Sequence, residues 1–309
     1  MKIYPPAHEP DALADGEGLL FWYGATHIAR AENSRRYRLE NRLDQLPGAR
    51  AFVGRDLSER ALEGIDRVLV VRPFVDGPAR RQLDALRRRG CRLWADYDDL
   101  LFDGELEQFP NASRFWQRMR LRRRLPVYRQ GLDAFDAFTC STEPIAEALR
   151  RLRPGVPVHV VPNVPSARWI ANGWERYGTS AWSEGGPRVL RYFPGSPSHD
   201  EDFATVSATL AALLHQHPEL SLEIVGYLRF DARPFPSERI SHRPRVPHSE
   251  LPELLLSTWL NLIPLAPTPY SLARSNIKEL EASAFDVPSV TGSPQDFRDR
   301  IEQALRDGR

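Results

Sequence analysis

The sequence has 309 residues, a formal net charge of +1 and a hydrophobic content of 41%, which are typical of a globular protein long enough for two domains. The balanced charge excludes a global field that would attract nucleic acid. No apolar run approaches the roughly 18 residues of a membrane span, and the amino terminus lacks the apolar core of a signal peptide. We therefore expect a cytoplasmic protein.

Short apolar runs alternate with helical patterns in the first half of the chain, which is the rhythm of βαβ units and predicts a parallel sheet covered by helices. The predicted strands are Leu19–Tyr23, Ala51–Val53, Arg67–Val71, Arg92–Ala95, Ala137–Cys140 and Val158–Val161. The predicted helices are Glu32–Leu46, Ser58–Gly64, Pro78–Arg89 and Glu143–Leu152. The two cysteines, Cys91 and Cys140, lie in strand-like runs and are expected to be buried thiols.

The rhythm breaks between residues 166 and 187, which we interpret as a partly packed connection between domains, and then resumes. The predicted strands of the second half are Arg188–Phe193, Leu220–Val225, Arg239–Ser241, Leu260–Leu265 and Val287–Val290. Its predicted helices are Asp202–His215, Ser249–Ser257 and Asn276–Phe285. The sequence thus predicts an α/β protein with two doubly wound, Rossmann-like domains, 1–165 and 188–309, facing a central cleft.

The segment Arg274–Glu281 is the strongest candidate for a binding site. Ser275 is the predicted N-cap of a helix that begins at Asn276, whose free backbone N–H groups favour a phosphate, and Arg274 and Lys278 add positive charge. Glu281 lies farther along the same helix, where its carboxylate can accept ribose hydroxyls. This arrangement suits a nucleoside diphosphate, although an amphipathic helix with solvated charges would have the same pattern.

Two loops add further candidates to the second half. In the loop after Arg188–Phe193, Gly195 allows close approach of the backbone, and Ser196 and His199 supply hydrogen-bond donors for an anion or a sugar. Gly226 ends the next strand, where a base or ribose can rest against the backbone. The alternatives are a loop ending in a helix cap and an ordinary glycine turn.

Residues 188–288 resemble the donor-binding half of a GT-B glycosyltransferase, specifically the large retaining family 4. The resemblance rests on five segments in family-like order: Val189–Phe203, Leu222–Gly226, Arg245–Leu255, Asn261–Leu265 and Ser275–Pro288. The first half is similar to the acceptor half of bacterial members that build surface polysaccharides, through Ala95–Leu100, Asp136–Glu143 and Val161–Val164.

This resemblance implies transfer of a sugar from a nucleoside-diphosphate sugar to a growing cell-surface glycan, such as O-antigen or capsule, with retention of configuration and no further cofactor. It implies that Lys278 and Glu281 carry the catalytic work at the donor. Ala273 stands where the family has a first glutamate, and the carboxy-terminal part is shorter than in the family, which suggests a missing segment. The alternatives are a GT-B-like nucleotide-sugar epimerase and a non-catalytic, degenerate transferase module.

The remaining candidates lie in the first half of the chain. Asp96, Asp98 and Asp99 imitate a carboxylate metal site, but they lie outside the predicted donor half, so we expect acceptor-side contacts and no metal. His27 follows the first strand and is a candidate for sugar contact or proton transfer, with a structural histidine as the alternative.

An arginine-rich segment without acidic residues also lies in the first half. It contains Arg114, Arg118, Arg120, Arg122, Arg123, Arg124 and Arg129 with Phe115 and Trp116 among them. A basic helix with interleaved aromatic residues suits peripheral contact with an anionic membrane, and a solvated helix face is the alternative.

Overall fold

The computed structural model of the chain describes residues 16–24, 32–105, 108–109, 114–195 and 199–308. These residues form two compact units. The first ends at Ser166 and also contains the short segment Ala273–Ser275, whereas the second contains Ala167–Leu272 and the chain from Asn276 onward. Each unit has one parallel sheet, so the predicted α/β class is confirmed.

The first unit is built on a six-stranded sheet with the order β2-β1-β3-β4-β5-β6. Its strands are β1 Leu19–Tyr23, β2 Arg50–Val53, β3 Arg67–Val71, β4 Arg92–Tyr97, β5 Ala137–Cys140 and β6 Val158–Val160. Its α-helices are α1 Glu32–Arg35, α2 Asn41–Leu43, α3 Gly77–Arg88, α4 Phe115–Gly131 and α5 Glu143–Leu152. The central strands are buried along almost their whole length, as expected of a parallel sheet covered on both faces.

The second unit is built on a five-stranded sheet with the order β11-β10-β7-β8-β9. Its strands are β7 Arg188–Tyr192, β8 Leu220–Val225, β9 Ile240–Arg243, β10 Leu260–Pro264 and β11 Ser289–Gly292. Its α-helices are α6 Ala167–Glu175, α7 Ala181–Glu184, α8 Asp200–Gln216, α9 Leu251–Leu256, α10 Pro269–Leu272, α11 Ile277–Ser283 and α12 Pro294–Arg306. Helices α8 and α12 bury Phe203 and Phe297 in the main core of this unit.

Both sheets reverse their strand order once, and the reversal defines where a ligand is expected. In the first unit the chain places β2 on one side of β1 and β3 on the other; in the second it places β8 beside β7 and later adds β10 on the opposite side. Open α/β sheets bind ligands beyond the carboxyl ends of the strands at such a reversal. A ligand is therefore expected at the loops after β1 and β3 and at those after β7 and β10.

The stretch 166–187, predicted to connect two domains, is instead largely helical and belongs to the second unit from Ala167 onward. Trp169 of α6 is buried in an apolar cluster with Phe285 and Val287. Helix α7 is capped by Ser180, whose hydroxyl accepts the Ser183 N–H and also donates to the Asp286 carbonyl. The aromatic residues of this stretch were the sequence signal that it is packed.

The helix predicted from Glu32 to Leu46 ends earlier, at Leu43, and contains a π-helical turn from Arg36 to Glu40. That turn carries Arg38, whose side chain is buried and ion-paired. π-Turns inside helices often occur at functional sites, because they re-aim side chains. A hydrophobic periodicity cannot reveal this irregularity.

Both cysteines are free and buried, as predicted. Burial raises the pKa of the Cys140 thiol to about 12 and also raises the pKa of Cys91. Among the described residues, no helix combines the length and apolarity needed to cross a membrane.

Candidate functional site

Lys278 lies beside the strand-order reversal of the second sheet. Its ammonium group donates to the carbonyl of Phe193, the residue after β7, over 3.1 Å and lies 5.9 Å from the centre of the Tyr192 ring. The chain contains only one other lysine, Lys2, against a large excess of arginine. A lysine is a compact point charge, unlike the planar fork of arginine, and is a common ligand of phosphate.

The helix start next to Lys278 differs from the prediction. Asn276, not Ser275, is the N-cap residue of α11, and its side chain makes no capping bond. The Ser275 hydroxyl accepts from the Asn163 side-chain amide over 2.9 Å, and both residues belong to the first unit. The residues predicted to bind the nucleoside diphosphate therefore do not all belong to one unit. Arg274 and Ser275 group with the first unit, and Asn276, Lys278 and Glu281 group with the second.

His199 and Asp202 form an oriented pair where the loop after β7 enters α8. The His199 Nδ1 lies 2.9 Å from an Asp202 carboxylate oxygen, and Asp202 is only 1% exposed. The other oxygen of Asp202 accepts the Ala266 N–H at 2.8 Å and the Ser271 hydroxyl at 3.3 Å. Asp202 thus joins the start of α8, which follows β7, to the segment after β10. Ser196 lies outside the described residues, and Gly195 precedes that gap.

Gly226 is required by a close backbone contact. Its φ is +140°, and a Cβ atom at this position would lie 2.1 Å from the Pro194 carbonyl oxygen. The His242 ring also bonds the Gly226 carbonyl, at 2.8 Å. The glycine therefore lets the ends of β7 and β8 approach each other, and its contact with a base or ribose stays a prediction.

Glu281 is buried, with 8% of its surface exposed, and its carboxylate has an unforeseen partner. One carboxylate oxygen lies 2.8 Å from Nε2 of His248, which precedes α9. The His248 ring lies against the Trp169 indole with centroids 4.4 Å apart, and the indole N–H donates to the Glu281 carbonyl at 3.1 Å. Sequence reasoning missed His248 and Trp169 because they meet Glu281 across 33 and 112 residues.

Asp96 was predicted to face an acceptor, and the structure contradicts this. It is 2% exposed, and its carboxylate oxygens accept from the Arg38 guanidinium and from the Thr139 hydroxyl. Burial opposes the charge on Arg38, but Asp96 outweighs it, so the pKa of the guanidinium is raised. Arg38 also donates to the Asn163 side chain. Because Asp96 holds the guanidinium that makes this bond, Asp96 is a structural anchor of the first unit.

Asp98 and Asp99 lie at the end of β4 and pair with Arg72, which follows β3. The distances from the Arg72 guanidinium are 3.2 Å to Asp98 and 2.9 Å to Asp99. Burial raises the pKa of Asp99, while the charges of Arg72 and Arg274 act in the opposite direction. Arg72 has a φ of +50°, a conformation that non-glycine residues rarely adopt and that concentrates at functional sites. His27, predicted to lie nearby, falls outside the described residues.

Helix α4 presents an exposed face with two aromatic residues at its start. Phe115 is 65% and Trp116 is 81% exposed. Exposed arginines continue along the helix at positions 120, 122, 123 and 129, and within the described part of the chain these four make no ion pair with a carboxylate. Many other exposed arginines of the unit, such as Arg80 and Arg87, are ion-paired.

No protein-family model matches the sequence, and no curated protein matches it significantly. Solved structures with similar folds include an α-glucosyltransferase in complex with UDP-glucose and DNA containing an abasic site. That structure has a TM-score of 0.57 and 11% identity, over 94% of this chain and 88% of that one. A protein from Listeria monocytogenes assigned as a UDP-N-acetylglucosamine 2-epimerase has a TM-score of 0.52 and 12% identity, over 93% and 87%.

Sucrose-phosphate synthase from Thermosynechococcus elongatus has a TM-score of 0.54 and 15% identity, over 79% of this chain. The chain spans 65% of the length of that protein. At these identities the likeness defines the fold alone. The fold is that of the GT-B proteins, with two Rossmann-like α/β units.

Proposed function

We propose that this protein is a glycosyltransferase that uses a nucleoside-diphosphate sugar as donor and that its second unit binds the donor. The observation that carries the proposal is the placement of Lys278 on the Phe193 carbonyl, at the strand-order reversal of the second sheet. The same short helix carries Glu281, so one element supplies a cation for the diphosphate and a carboxylate for the ribose hydroxyls. No cofactor beyond the donor is needed.

The chain's near-exclusive use of arginine elsewhere supports a special role for Lys278. Where a positive charge only has to be present, this sequence uses arginine. A leaving diphosphate develops negative charge, and a preorganised cation at that position lowers the barrier to transfer. Asn276 and His199 supply further hydrogen-bond donors, and Gly195 and Gly226 are proposed backbone contacts for the donor.

In the proposed reaction the bond between the anomeric carbon and the diphosphate oxygen breaks, and a bond to an acceptor hydroxyl oxygen forms. The leaving diphosphate takes the negative charge, and the hydroxyl proton leaves with it. The family 4 resemblance favours attack from the same face and retention of configuration. The first unit is the proposed acceptor unit, with Asp98, Asp99 and His27 as contacts for a growing cell-surface glycan such as O-antigen or capsule.

A nucleotide-sugar epimerase is the second candidate function. The His199–Asp202 pair favours it, since a carboxylate-oriented imidazole in the donor loop can move a proton. An epimerase would exchange a carbon-bound sugar proton with solvent without needing an acceptor. Incubation in D2O separates the two functions, because only epimerisation places deuterium on the sugar ring while the nucleotide stays attached.

The donor proposal is tested by measuring thermal unfolding of the full chain with UDP-, GDP-, ADP- and dTDP-sugars. A ligand that binds only the folded state increases the free energy of unfolding, by about 2.7 kcal/mol at a ligand concentration a hundred times its dissociation constant. The apparent melting temperature rises as a result. We expect a shift with at least one nucleotide sugar and with its nucleoside diphosphate. The absence of any shift, with no binding by calorimetry, would contradict the proposal.

The exposed face of α4 supports a further part of the proposal, peripheral contact of the first unit with an anionic membrane. The exposed arginines at positions 120, 122, 123 and 129, on the helix that begins with Phe115 and Trp116, suit a surface of acidic lipid headgroups, where a lipid-linked acceptor would lie. The helix carries basic residues around much of its circumference, so we expect surface adsorption without deep insertion.

We predict weak binding to vesicles containing phosphatidylglycerol, less binding to phosphatidylcholine vesicles, and release by salt, because each basic residue contributes about 1 kcal/mol near such a surface and salt screens it. The variant R120A/R122A/R123A should bind less, measured by cosedimentation. The matched control is R80A/R87A, which removes arginines already paired with Asp133 and Asp136. Equal losses in both variants, or binding that ignores lipid charge, would contradict this contact.

A further inference from the structure

The contact between His248 and Glu281 determines which ring nitrogen of His248 carries a hydrogen and how the Glu281 carboxylate is oriented. Glu281 carries the carboxylate that we assign to the ribose of the donor, and an ionised carboxylate only accepts hydrogen bonds. At 2.8 Å from that carboxylate, Nε2 of His248 must carry the hydrogen. One oxygen of Glu281 is thereby fixed in position, and with it the plane of the whole carboxylate.

Trp169 holds His248 in the matching position. The indole lies 4.4 Å from the imidazole centre, and its N–H bonds the backbone of the same Glu281 whose side chain His248 contacts. Helix α6 can approach this closely because a Cβ atom on Gly173 would lie 2.0 Å from the Ala284 carbonyl oxygen. Three separate elements of the second unit therefore converge on one carboxylate: α6, the turn His248–Glu250 and α11.

The Glu281 carboxylate is held by a contact from outside its own helix. Other carboxylates of the second unit serve clear purposes: the buried Asp202 joins the start of α8 to the segment after β10, and the half-buried Glu223 pairs with Arg191. Glu281 has its side chain 10% exposed, so part of it stays accessible. A carboxylate held in one plane can accept from two neighbouring hydroxyl groups, which is the arrangement that the 2′ and 3′ positions of a ribose present.

Resting on the proposed function, we propose that His248 is a positioning residue for Glu281 and that this pair makes the donor site selective for ribonucleoside over 2′-deoxyribonucleoside diphosphates. The donor is then a sugar carried on UDP, GDP or ADP, and dTDP-sugars are disfavoured. Selectivity arises because a deoxyribose leaves one bond to the fixed carboxylate unmade, and hydrogen bonds to charged groups are among the stronger ones.

The test measures the dissociation constants of UDP, GDP and ADP, each against its 2′-deoxy counterpart, on the full chain by calorimetry. We expect the best ribonucleotide to bind about tenfold or more tightly than its deoxy form, the loss expected for one such bond. Glu281→Ala should bring this ratio close to one. His248→Phe, which keeps a ring against Trp169 but removes the donor, should reduce the ratio several-fold, whereas His248→Gln, which keeps a donor, should preserve most of it.

His215→Ala is the matched control. It removes an imidazole bond to the Pro234 carbonyl in the same unit, outside the donor site, and should leave the ratio unchanged. In the double variant H248F/E281A the ratio should equal that of Glu281→Ala alone, because His248 acts through Glu281. A wild-type ratio in His248→Phe, with folding confirmed by its melting temperature, overturns the positioning role. Equal binding of ribo and deoxy forms by the wild type overturns the selectivity, and failure to bind any nucleotide overturns the proposed function itself.

Discussion

Asp96→Ala is expected to destabilise the first unit by about 3–5 kcal/mol, the usual cost of removing one partner from a buried ion pair. The side chains of Asp96 and Arg38 are only 3% and 2% exposed. The variant leaves the Arg38 guanidinium buried without its carboxylate and also leaves the Thr139 hydroxyl without its acceptor. The loss should be visible in urea unfolding followed by circular dichroism.

The control is Asp133→Ala, which breaks an ion pair with Arg80 whose side chains are 60% and 38% exposed. Exposed pairs contribute about 0–1 kcal/mol, so this variant should unfold close to the wild type. If Asp96→Ala were as stable as Asp133→Ala, Asp96 would not be the anchor described above.

Lys278→Ala should weaken binding of the nucleoside diphosphate by about 1.5–3 kcal/mol, or roughly ten- to a hundredfold, because a charge-assisted contact to phosphate is lost. Turnover should fall with it, since the same charge stabilises the leaving group. Lys278→Arg keeps the charge and should retain part of the affinity. Calorimetry with the best nucleoside diphosphate measures both variants.

Amine-directed acetylation gives an independent measure of the same contact. The chain has only two lysines, so mass spectrometry can follow Lys278 with the Lys2 peptide as internal reference. Bound nucleoside diphosphate should slow acetylation at Lys278 relative to Lys2. Unchanged binding by Lys278→Ala together with unprotected Lys278 would show that the diphosphate binds elsewhere.

The sheets were largely predictable from the sequence because parallel strands covered on both faces are continuous apolar runs. The strands Leu19–Tyr23, Arg67–Val71 and Leu220–Val225 have the predicted bounds. Less regular elements were not predictable: the strand expected at Val287–Val290 instead spans Ser289–Gly292. Val287 is buried in the cluster around Trp169, so a tertiary contact explains its apolar character.

The candidate site was predictable only where its residues are close in sequence. Lys278 and Glu281 share one helix, and the three-residue spacing places them on one side of it. The partners of Glu281 and Asp96 come from distant positions, since His248 and Arg38 are 33 and 58 residues away along the chain. A single sequence carries no signal for such pairs. Ser275 was misassigned as the helix cap because its partner, Asn163, is 112 residues away.

Turnover of nucleotide sugars by the full chain tests the glycosyltransferase proposal most directly. The reaction is followed by phosphorus and proton NMR with methanol or glycerol as simple acceptors. We expect release of a nucleoside diphosphate from at least one ribonucleotide sugar. We also expect a glycoside with the anomeric configuration of the donor, and loss of both signals in Lys278→Ala. Binding of nucleotide sugars without release, with deuterium entering the sugar ring in D2O, would instead identify an epimerase and contradict the transferase proposal.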